Sequence, residues 1–305
     1  MTTEGQPVLT EETRTAYARL LVRLRELDRV VVAFSGGVDS TLLGWAAREA
    51  LGPERALLVT ADSESYAEGE LDEARRLAEL IGLPHRVVQT RELDNPDYAA
   101  NPPNRCFFCK EELFTHLNRI AQEEGFGHLV YGATVDDLGD HRPGMVSARQ
   151  RGVVAPLIDA GLGKSAIRAL SHAAGLPTWD RPAMACLSSR FPYGTTITAE
   201  KLRQVDRAEA FVRSLGFRVF RVRHHGELAR LEVAPEEMPR LLEEERGPRI
   251  ATALQELGFV HVTVDLQGYR SGSLNEALVR LRARRAPAGV KPPAATTAPE
   301  RWRPA

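Results

Sequence analysis

The 305 residues carry 40 Lys and Arg against 41 Asp and Glu, with 43% hydrophobic and 27% charged residues. This is an ordinary globular composition, long enough for a full core and two domains, and its net charge of −1 argues against a general nucleic-acid binder. No apolar run reaches the length of a membrane span, and Met1-Thr-Thr-Glu-Gly-Gln lacks the basic and apolar segments of a signal peptide, so a cytoplasmic location is expected. Three cysteines in that setting predict thiol or metal chemistry in place of a disulfide framework.

An amphipathic helix is predicted over 11–27, capped by Thr10, with Tyr17, Leu20, Leu21, Leu24 and Leu27 on one face and a place over the sheet edge. Val30 to Phe34 is a continuous apolar run of the kind found inside a parallel sheet. Ser35-Gly36-Gly37-Val38-Asp39-Ser40 follows, where the two glycines permit a sharp turn and Asp39, Ser40 and Thr41 open a helix. The N–H groups of that first turn, with the hydroxyls of Ser35 and Ser40, form a cradle for an anion such as pyrophosphate. The loop has no lysine, which separates it from the Gly-Lys-Ser/Thr loops of kinases and GTPases. An ordinary strand-to-helix turn without a ligand is the alternative.

The strand Ala56–Thr60 runs into Asp62 and Ser63, which either border a nucleotide or cap a helix. A helix over about 66–81 and a strand His85–Gln89 complete a βαβαβ rhythm and imply parallel strands. The Asn- and Pro-rich stretch 95–104 reads as a loop ending in Arg105-Cys106-Phe-Phe-Cys109-Lys110, with a helix from about Glu111 to Glu124. A CxxC at such a junction suits two thiolates on one metal or cluster, kept ionised by Arg105, Lys110 and the helix N-terminus. A buried structural pair or a redox dithiol would also explain it.

Residues 128–133 read as the fourth strand, followed by a polar loop whose Asp136, Asp137 and Asp140 either hold Mg2+, contact substrate or serve as caps. Lys164 leads into a helix over 165–174, and Gly175–Pro182 is expected to be an extended linker delivering Cys186, Ser189 and Arg190. From about 195 the chain reads as a small α+β module: helix 199–215, strands 218–223 and 229–233, one helix over 236–256, and a strand 260–265. Strand alternation puts Arg221 and Arg223 on one face, where two guanidiniums resist burial and suit a phosphate or carboxylate; a solvated strand face is the alternative. The Pro- and Ala-rich tail over 286–305 is predicted to be disordered.

Ser35–Ser40 resembles the PP-loop of ATP pyrophosphatases. Further motifs follow it in order: Asn101-Pro-Pro-Asn-Arg-Cys-Phe-Phe-Cys-Lys110, Asp136-Asp-Leu-Gly-Asp140, Pro182-Ala-Met-Ala-Cys-Leu-Ser-Ser-Arg190, Phe191-Pro-Tyr-Gly194 and Leu266-Gln-Gly-Tyr-Arg-Ser-Gly-Ser273. The set is similar to the LarE family over about residues 10–283. These are ATP-dependent sulfur transferases that build the nickel-pincer nucleotide cofactor. The resemblance implies an α/β fold, with a doubly wound, mostly parallel sheet of the adenine nucleotide α-hydrolase type over 1–182 and a smaller α+β substrate domain over 183–285.

It also implies the chemistry. The carboxylates of a pyridinium dicarboxylate mononucleotide are adenylated by ATP, pyrophosphate departs into the PP-loop, and a sulfur nucleophile displaces AMP. ATP would then lie on Ser35, Gly36, Gly37, Asp39, Ser40, Asp62 and Ser63, with Mg2+. Ser189, Arg190, Arg221 and Arg223 match the family's substrate-phosphate positions, and Glu209 matches a further pocket position. One branch of the family takes sulfur from the residue matching Cys186, which becomes dehydroalanine. A second branch holds a [4Fe–4S] cluster on three cysteines, and the expectation here is that branch, with Cys106, Cys109 and Cys186 as ligands. The expected partners are the nucleotide substrate, a sulfide donor, other nickel-pincer biosynthesis proteins and further copies of the chain in a homo-oligomer, a hexamer on the family pattern. Membranes and nucleic acid are not expected as partners. A tRNA thiolase, an amide-forming synthetase of the NAD or GMP type, and a non-enzymatic nucleotide- or metal-binding module are the competing classes.

Overall fold

A computed structural model of the protein describes residues 9–139, 142–182, 185–270 and 272–274. The tail 286–305 and the motif positions Asp140, Ala183, Met184 and Ser271 lie outside the described residues. The chain forms two compact units: one runs through Tyr98 and resumes at Pro103, and the other takes residues 99–102 and the chain from Ala185.

The first unit holds helices α1 (Glu11–Leu27), α2 (Val38–Leu51), α3 (Glu70–Ile81), the short α4 (Pro96–Ala99) at its margin, α5 (Arg105–Glu124), α6 (Pro143–Gln150), the short α7 (Pro156–Asp159) and α8 (Lys164–Ala173). Its strands β1 (Val30–Ala33), β2 (Ala56–Asp62), β3 (His85–Gln89) and β4 (His128–Tyr131) form a wholly parallel sheet in the order β3-β2-β1-β4. β1 is central, and its continuous apolar run serves both faces. Val30 and Val32 join the core built with Leu20, Leu24, Leu43, Leu77 and Ile167, whereas Val31 joins Phe114, Leu117 and Leu129 on the other side. Truncating one such fully buried leucine to alanine typically costs about 2–5 kcal/mol. The chain travels outward from β1 to β3 and then crosses to place β4 on the far side of β1. The carboxyl ends of β1 and β4 therefore flank the switch point where open α/β sheets leave a ligand crevice.

Several boundaries differ from expectation. Thr10 caps α1 by accepting from Thr13 N, but the helix packs on α2 and α7, thickening one face of the sheet instead of covering its edge. The CxxC lies inside α5, which starts at Arg105 and not near Glu111, because its first turns are braced by α6 through Glu111, Ser147 and Arg151. The stretch after α8 is not an extended linker. It turns through Trp179 N to Leu176 O and Arg181 N to Thr178 O, and Arg168 fixes it by donating to the carbonyls of Trp179 and Arg181 at 2.6 and 2.7 Å.

The second unit holds α9 (Ala199–Ser214), β5 (Phe220–His225), β6 (Leu228–Val233), α10 (Met238–Leu241), α11 (Arg246–Glu256) and β7 (His261–Val264). β5 and β6 are antiparallel, β6 and β7 parallel, in the order β5-β6-β7. Phe220, Val222, Leu231 and Val233 pack against Ala208, Val212, Ile250 and Leu254 from α9 and α11. The single helix expected over 236–256 is two, since Pro239 and Pro248 each fit a first helical turn far better than a helix interior. Residues 99–102 belong with this unit: Asn101 O accepts from Gly194 N, and Asn101 Nδ2 donates to Pro192 O at 2.8 Å. Among the described residues no helix is long and apolar enough to cross a membrane.

Candidate functional site

The loop between β1 and α2 is built around two hydroxyls. Ser35 Oγ and Ser40 Oγ stand 3.1 Å apart, Ser35 N donates to Ser40 Oγ, and Ser40 Oγ donates to Gly37 O at 3.1 Å. Gly36 takes φ +69°, where a side chain would be strained, and a Cβ there would also sit 3.4 Å from the Cα of Ala74 on α3. Gly37 is the N-cap of α2 and carries no side-chain cap, so the first-turn N–H groups are left for an external acceptor. Below the loop, Thr60 Oγ1 donates to Phe34 O at 2.7 Å and meets His85 Nε2 at 2.8 Å. Burial, helped by the Arg75 charge, lowers the His85 pKa, which keeps the ring neutral as a donor to Thr60.

Asp39, in the first turn of α2, is the loop's one carboxylate. Its Oδ2 is paired with Lys164 Nζ from the first turn of α8, whereas its Oδ1 is buried with no hydrogen-bond partner. Burial raises the Asp39 pKa, against the opposing pull of Lys164. Lys164 itself is fixed by its backbone, which donates to Asp136 Oδ2 at 2.7 Å, and a Cβ on the preceding Gly163 would collide with that oxygen at 2.8 Å. A second cation comes from the turned segment after α8: Arg181 Nη1 donates to Gly36 O at 3.2 Å and lies 3.9 Å from Glu73. Of the loop acids for which Mg2+ binding, substrate contact and capping were alternatives, Asp137 is occupied by Thr134 N, Thr134 Oγ1 and Arg142, and Asp136 by Lys164 N. The orphaned oxygen of Asp39 fits a nucleotide-bound magnesium ion better than either.

Asp62 and Ser63 lie at the carboxyl end of β2, as expected. Asp62 Oδ2 accepts from Gln89 at 2.6 Å, and Ser63 Oγ pairs with Ser65 Oγ at 2.9 Å. Glu92, which the sequence did not single out, is buried beneath them: its carboxylate accepts from Thr90 Oγ1 and from Cys109 Sγ at 3.7 Å, with Ser63 a further partner. Burial raises the Glu92 pKa. Cys106 is exposed, Cys109 and Cys186 are half-buried, and none is in a disulfide. Arg105 is turned into the protein, so the cationic flank expected beside the CxxC is reduced and an acid stands against Cys109. Among the described residues no three Cys, His, Asp or Glu side chains are gathered as a metal group requires.

The second unit gathers its own charged cluster. Arg190 grips Glu209 with Nε and Nη2 at 2.8 and 2.7 Å, and its Nη1 reaches Ser189 Oγ and the carbonyls of Ala185 and Cys186 at 2.6–3.0 Å. Glu209 also accepts from Val222 N on the sheet-edge strand β5. Burial opposes the Glu209 charge, but Arg190, Val222 N and Arg221 together pull its pKa down. Arg223 is buried, which corrects the expectation that the paired guanidiniums resist burial. Glu232, directly across from Arg221 in the β5–β6 register, takes both Nε and Nη2 of Arg223 at 3.0 and 2.7 Å. Arg221 lies 5.0 Å over the Tyr269 ring, and burial lowers its pKa, as do the charges of Arg190 and Arg223. Arg230 joins through Glu232 and Asp265.

Thus Ser189, Arg190, Glu209, Arg221 and Arg223 are brought together, and so are Ser35 to Ser40. Lys164, Arg181, Glu92 and Glu232 were missed. Glu232 had a signal, a lone acid between Leu231 and Val233 in a strand; Lys164 and Arg181 are recognisable only by contacts far along the chain, and Glu92 by its bonds to Thr90 and Cys109.

Residues 11–100 match the profile of the NAD synthase family. The chain is 38% identical over 266 residues to a pyridinium-3,5-bisthiocarboxylic acid mononucleotide synthase of Lactiplantibacillus plantarum, covering 87% of this chain and 96% of that one. It is 46% identical over 255 residues to an uncharacterised protein of Synechocystis, covering 84% and 95%. A tRNA-specific 2-thiouridylase of Desulforamulus reducens is 26% identical over 193 residues, about half of each chain. With a parallel α/β unit carrying the Ser35–Ser40 loop and a near full-length relative above 30% identity, this chain belongs to the LarE family of ATP-using sulfurtransferases.

Proposed function

We propose that the protein converts carboxylates of a pyridinium dicarboxylate mononucleotide into thiocarboxylates in the assembly of the nickel-pincer cofactor. The relative from Lactiplantibacillus plantarum bears the name of such a synthase, and its likeness over 87% of this chain is the observation that carries the reading. A carboxylate has no leaving group. Its oxygen attacks the α-phosphorus of ATP, the bond to the β-phosphate breaks, and pyrophosphate leaves. The acyl-adenylate then accepts a sulfur nucleophile at its carbonyl carbon, and AMP carries away one carboxylate oxygen.

The first unit's loop supports the ATP half of this scheme. The first-turn N–H groups of α2 and the Ser35 and Ser40 hydroxyls receive the departing pyrophosphate, and Asp39 offers its unpartnered oxygen to the magnesium ion that accompanies ATP. Asp62 and Ser63 border the nucleotide from the end of β2. In the second unit, Ser189, Arg190, Arg221 and Arg223 hold the substrate's phosphate. The three arginines exceed by one the carboxylates Glu209 and Glu232 that seat them, and this surplus suits an anionic phosphate. Arg190 simultaneously clamps the Cys186 carbonyl at 3.0 Å, which ties the backbone of that cysteine to the proposed phosphate site.

For the sulfur we propose a [4Fe–4S] cluster on Cys106, Cys109 and Cys186, which would supply an extra sulfide bound to its unligated iron. The support is that the chain's three cysteines all fall in its motifs, two of them one turn apart on α5. The Cys109–Glu92 bond, which sets an acid against one of these thiols, favours a second reading in which Cys186 gives up its own sulfur. Incubation with ATP, the dicarboxylate mononucleotide and sulfide under anaerobic conditions, followed by mass spectrometry, tests the function. Thiocarboxylate product is expected, and more product than protein indicates the cluster. Product no greater than protein, with Cys186 converted to dehydroalanine, indicates the sacrificial route. No thiocarboxylate overturns the assignment.

A further inference from the structure

Three carbonyls at the turn from β1 into α2 are held by donors. Thr60 Oγ1 donates to Phe34 O at 2.7 Å, and Ser40 Oγ and Thr41 N donate to Gly37 O at 3.1 and 2.9 Å. The third, Gly36 O, accepts from Arg181 Nη1 at 3.2 Å, from 145 residues further on. Arg181 is placed by α8: Arg168 donates to the carbonyls of Trp179 and Arg181 at 2.6 and 2.7 Å, and His172 stacks on the Trp179 ring with centroids 4.1 Å apart. The Arg181 guanidinium also lies 3.9 Å from Glu73 of α3, so its charge is already faced by an acid.

The Gly36–Gly37 peptide has no side chain on either flank, so its plane can turn over at little steric cost. In a trans peptide the carbonyl and the N–H point in opposite directions. With Gly36 O held by Arg181, the Gly37 N–H points toward the Ser35 hydroxyl of the cradle, and at 3.4 Å that contact is long enough to leave the N–H open to an anion. Turned over, the same peptide would present a carbonyl oxygen to the anion and repel it. The turn would carry φ of Gly37 from −75° to about +105°, which glycine accepts and alanine resists.

We propose that Arg181 is a positioning residue that locks the Gly36–Gly37 peptide with its N–H toward the anion cradle, and that it does so without touching the phosphates. The assignment rests on the reading that the loop binds the pyrophosphate portion of ATP. It also gives the turned segment after α8 a purpose, since the Arg168 bonds that fold this segment are what bring Arg181 against the loop.

A double-variant cycle on Arg181→Met and Gly37→Ala tests the lock, read as calorimetric affinity for inorganic pyrophosphate with melting temperatures as a check on folding. Alanine fits Gly37 as it stands, with φ −75° and its Cβ meeting only Ser35 Oγ at 3.4 Å, but resists the turned peptide. Arg181→Met should weaken pyrophosphate by about tenfold or more alone, and by less than about threefold when Gly37→Ala is also present. Arg181→Gln, too short to reach the Gly36 carbonyl from the same backbone position, gives the same comparison if Arg181→Met fails to fold. An unchanged affinity in the arginine variants would overturn the proposal. So would an equal loss with and without Gly37→Ala, because a direct contact from the guanidinium to phosphate would act in both. Loss of pyrophosphate binding by Gly37→Ala alone would overturn it too, since the orientation that alanine enforces would then not be the binding one. A wild-type protein that binds neither ATP nor pyrophosphate would instead overturn the reading of the loop, and the role of Arg181 with it.

Discussion

A methyl group on Gly132 would stand 3.0 Å from the backbone nitrogen of Ser40. Gly132 directly follows β4, so the end of that strand presses on the first turn of α2, and the two sides of the sheet's switch point touch through backbone. The obstruction is main chain, so no side chain can rotate away. Gly132→Ala should therefore displace the loop and lower kcat/KM by at least about tenfold. Gly52→Ala, at φ +77° with nothing within 4 Å of the added carbon, should cost stability alone, on the order of 1 kcal/mol. Comparing kcat/KM and melting temperature for the two variants checks this.

Asp39 and its neighbours point to a conflict between activity and stability. The raised Asp39 pKa means that folding disfavours its charge, so at neutral pH the ionised carboxylate costs native stability. Asp39→Asn should melt at the same temperature or higher while losing ATP-dependent turnover, with scanning calorimetry and product assay as the readouts. A clear fall in melting temperature would show the Lys164 pair to be a net stabiliser.

The Arg190–Glu209 pair is almost wholly removed from solvent, at 5% and 2% side-chain exposure. Removing one partner leaves a buried charge uncompensated, so Glu209→Ala should cost about 3–5 kcal/mol in urea unfolding. The double variant Arg190→Met with Glu209→Leu should recover much of that stability yet fail to bind the mononucleotide, because the proposed phosphate site goes with the ion pair. Calorimetric titration with the substrate distinguishes the two effects.

Three histidines shape the acid limb of stability. Burial lowers the pKa of His85, His224 and His225, with nearby cations adding to it. The unfolded chain then takes up protons that the native state refuses. Stability from these groups is complete above the unfolded pKa of about 6.5 and is lost as pH falls through that value toward the folded ones. Replacing His224, whose Nε2 meets Gln204 and whose Nδ1 accepts from Gly226 N, by Gln should flatten the stability–pH slope between about pH 6.5 and 5.

How much of this was readable beforehand depended on the range of the determining contact. The parallel sheet, the Ser35–Ser40 strand-to-helix turn and the opposed faces of β5 follow from local runs and alternation, as Val30–Val32 and Phe220–Arg223 show. Lys164 on Asp39 and Arg181 on Gly36 are contacts across 125 and 145 residues, set by how α8 and its following turn pack, and no local pattern announces them. The burial of Arg223 is not legible in its own strand, because its partner, Glu232, lies on the next strand, where the register decides the match. Asn- and Pro-rich residues before the CxxC predict a loop there; the bracing by Glu111, Ser147 and Arg151 begins the helix earlier.

In the proposed chemistry a substrate carboxylate cleaves ATP between its α- and β-phosphates. The direct measurement uses the dicarboxylate mononucleotide labelled with oxygen-18 in its carboxyl groups and follows the label by mass spectrometry after turnover. Adenylation followed by sulfur attack predicts one labelled oxygen in AMP, with unlabelled pyrophosphate released only when the carboxylate substrate is present. Label in inorganic phosphate alongside ADP, or pyrophosphate formed without AMP acquiring label, would contradict it.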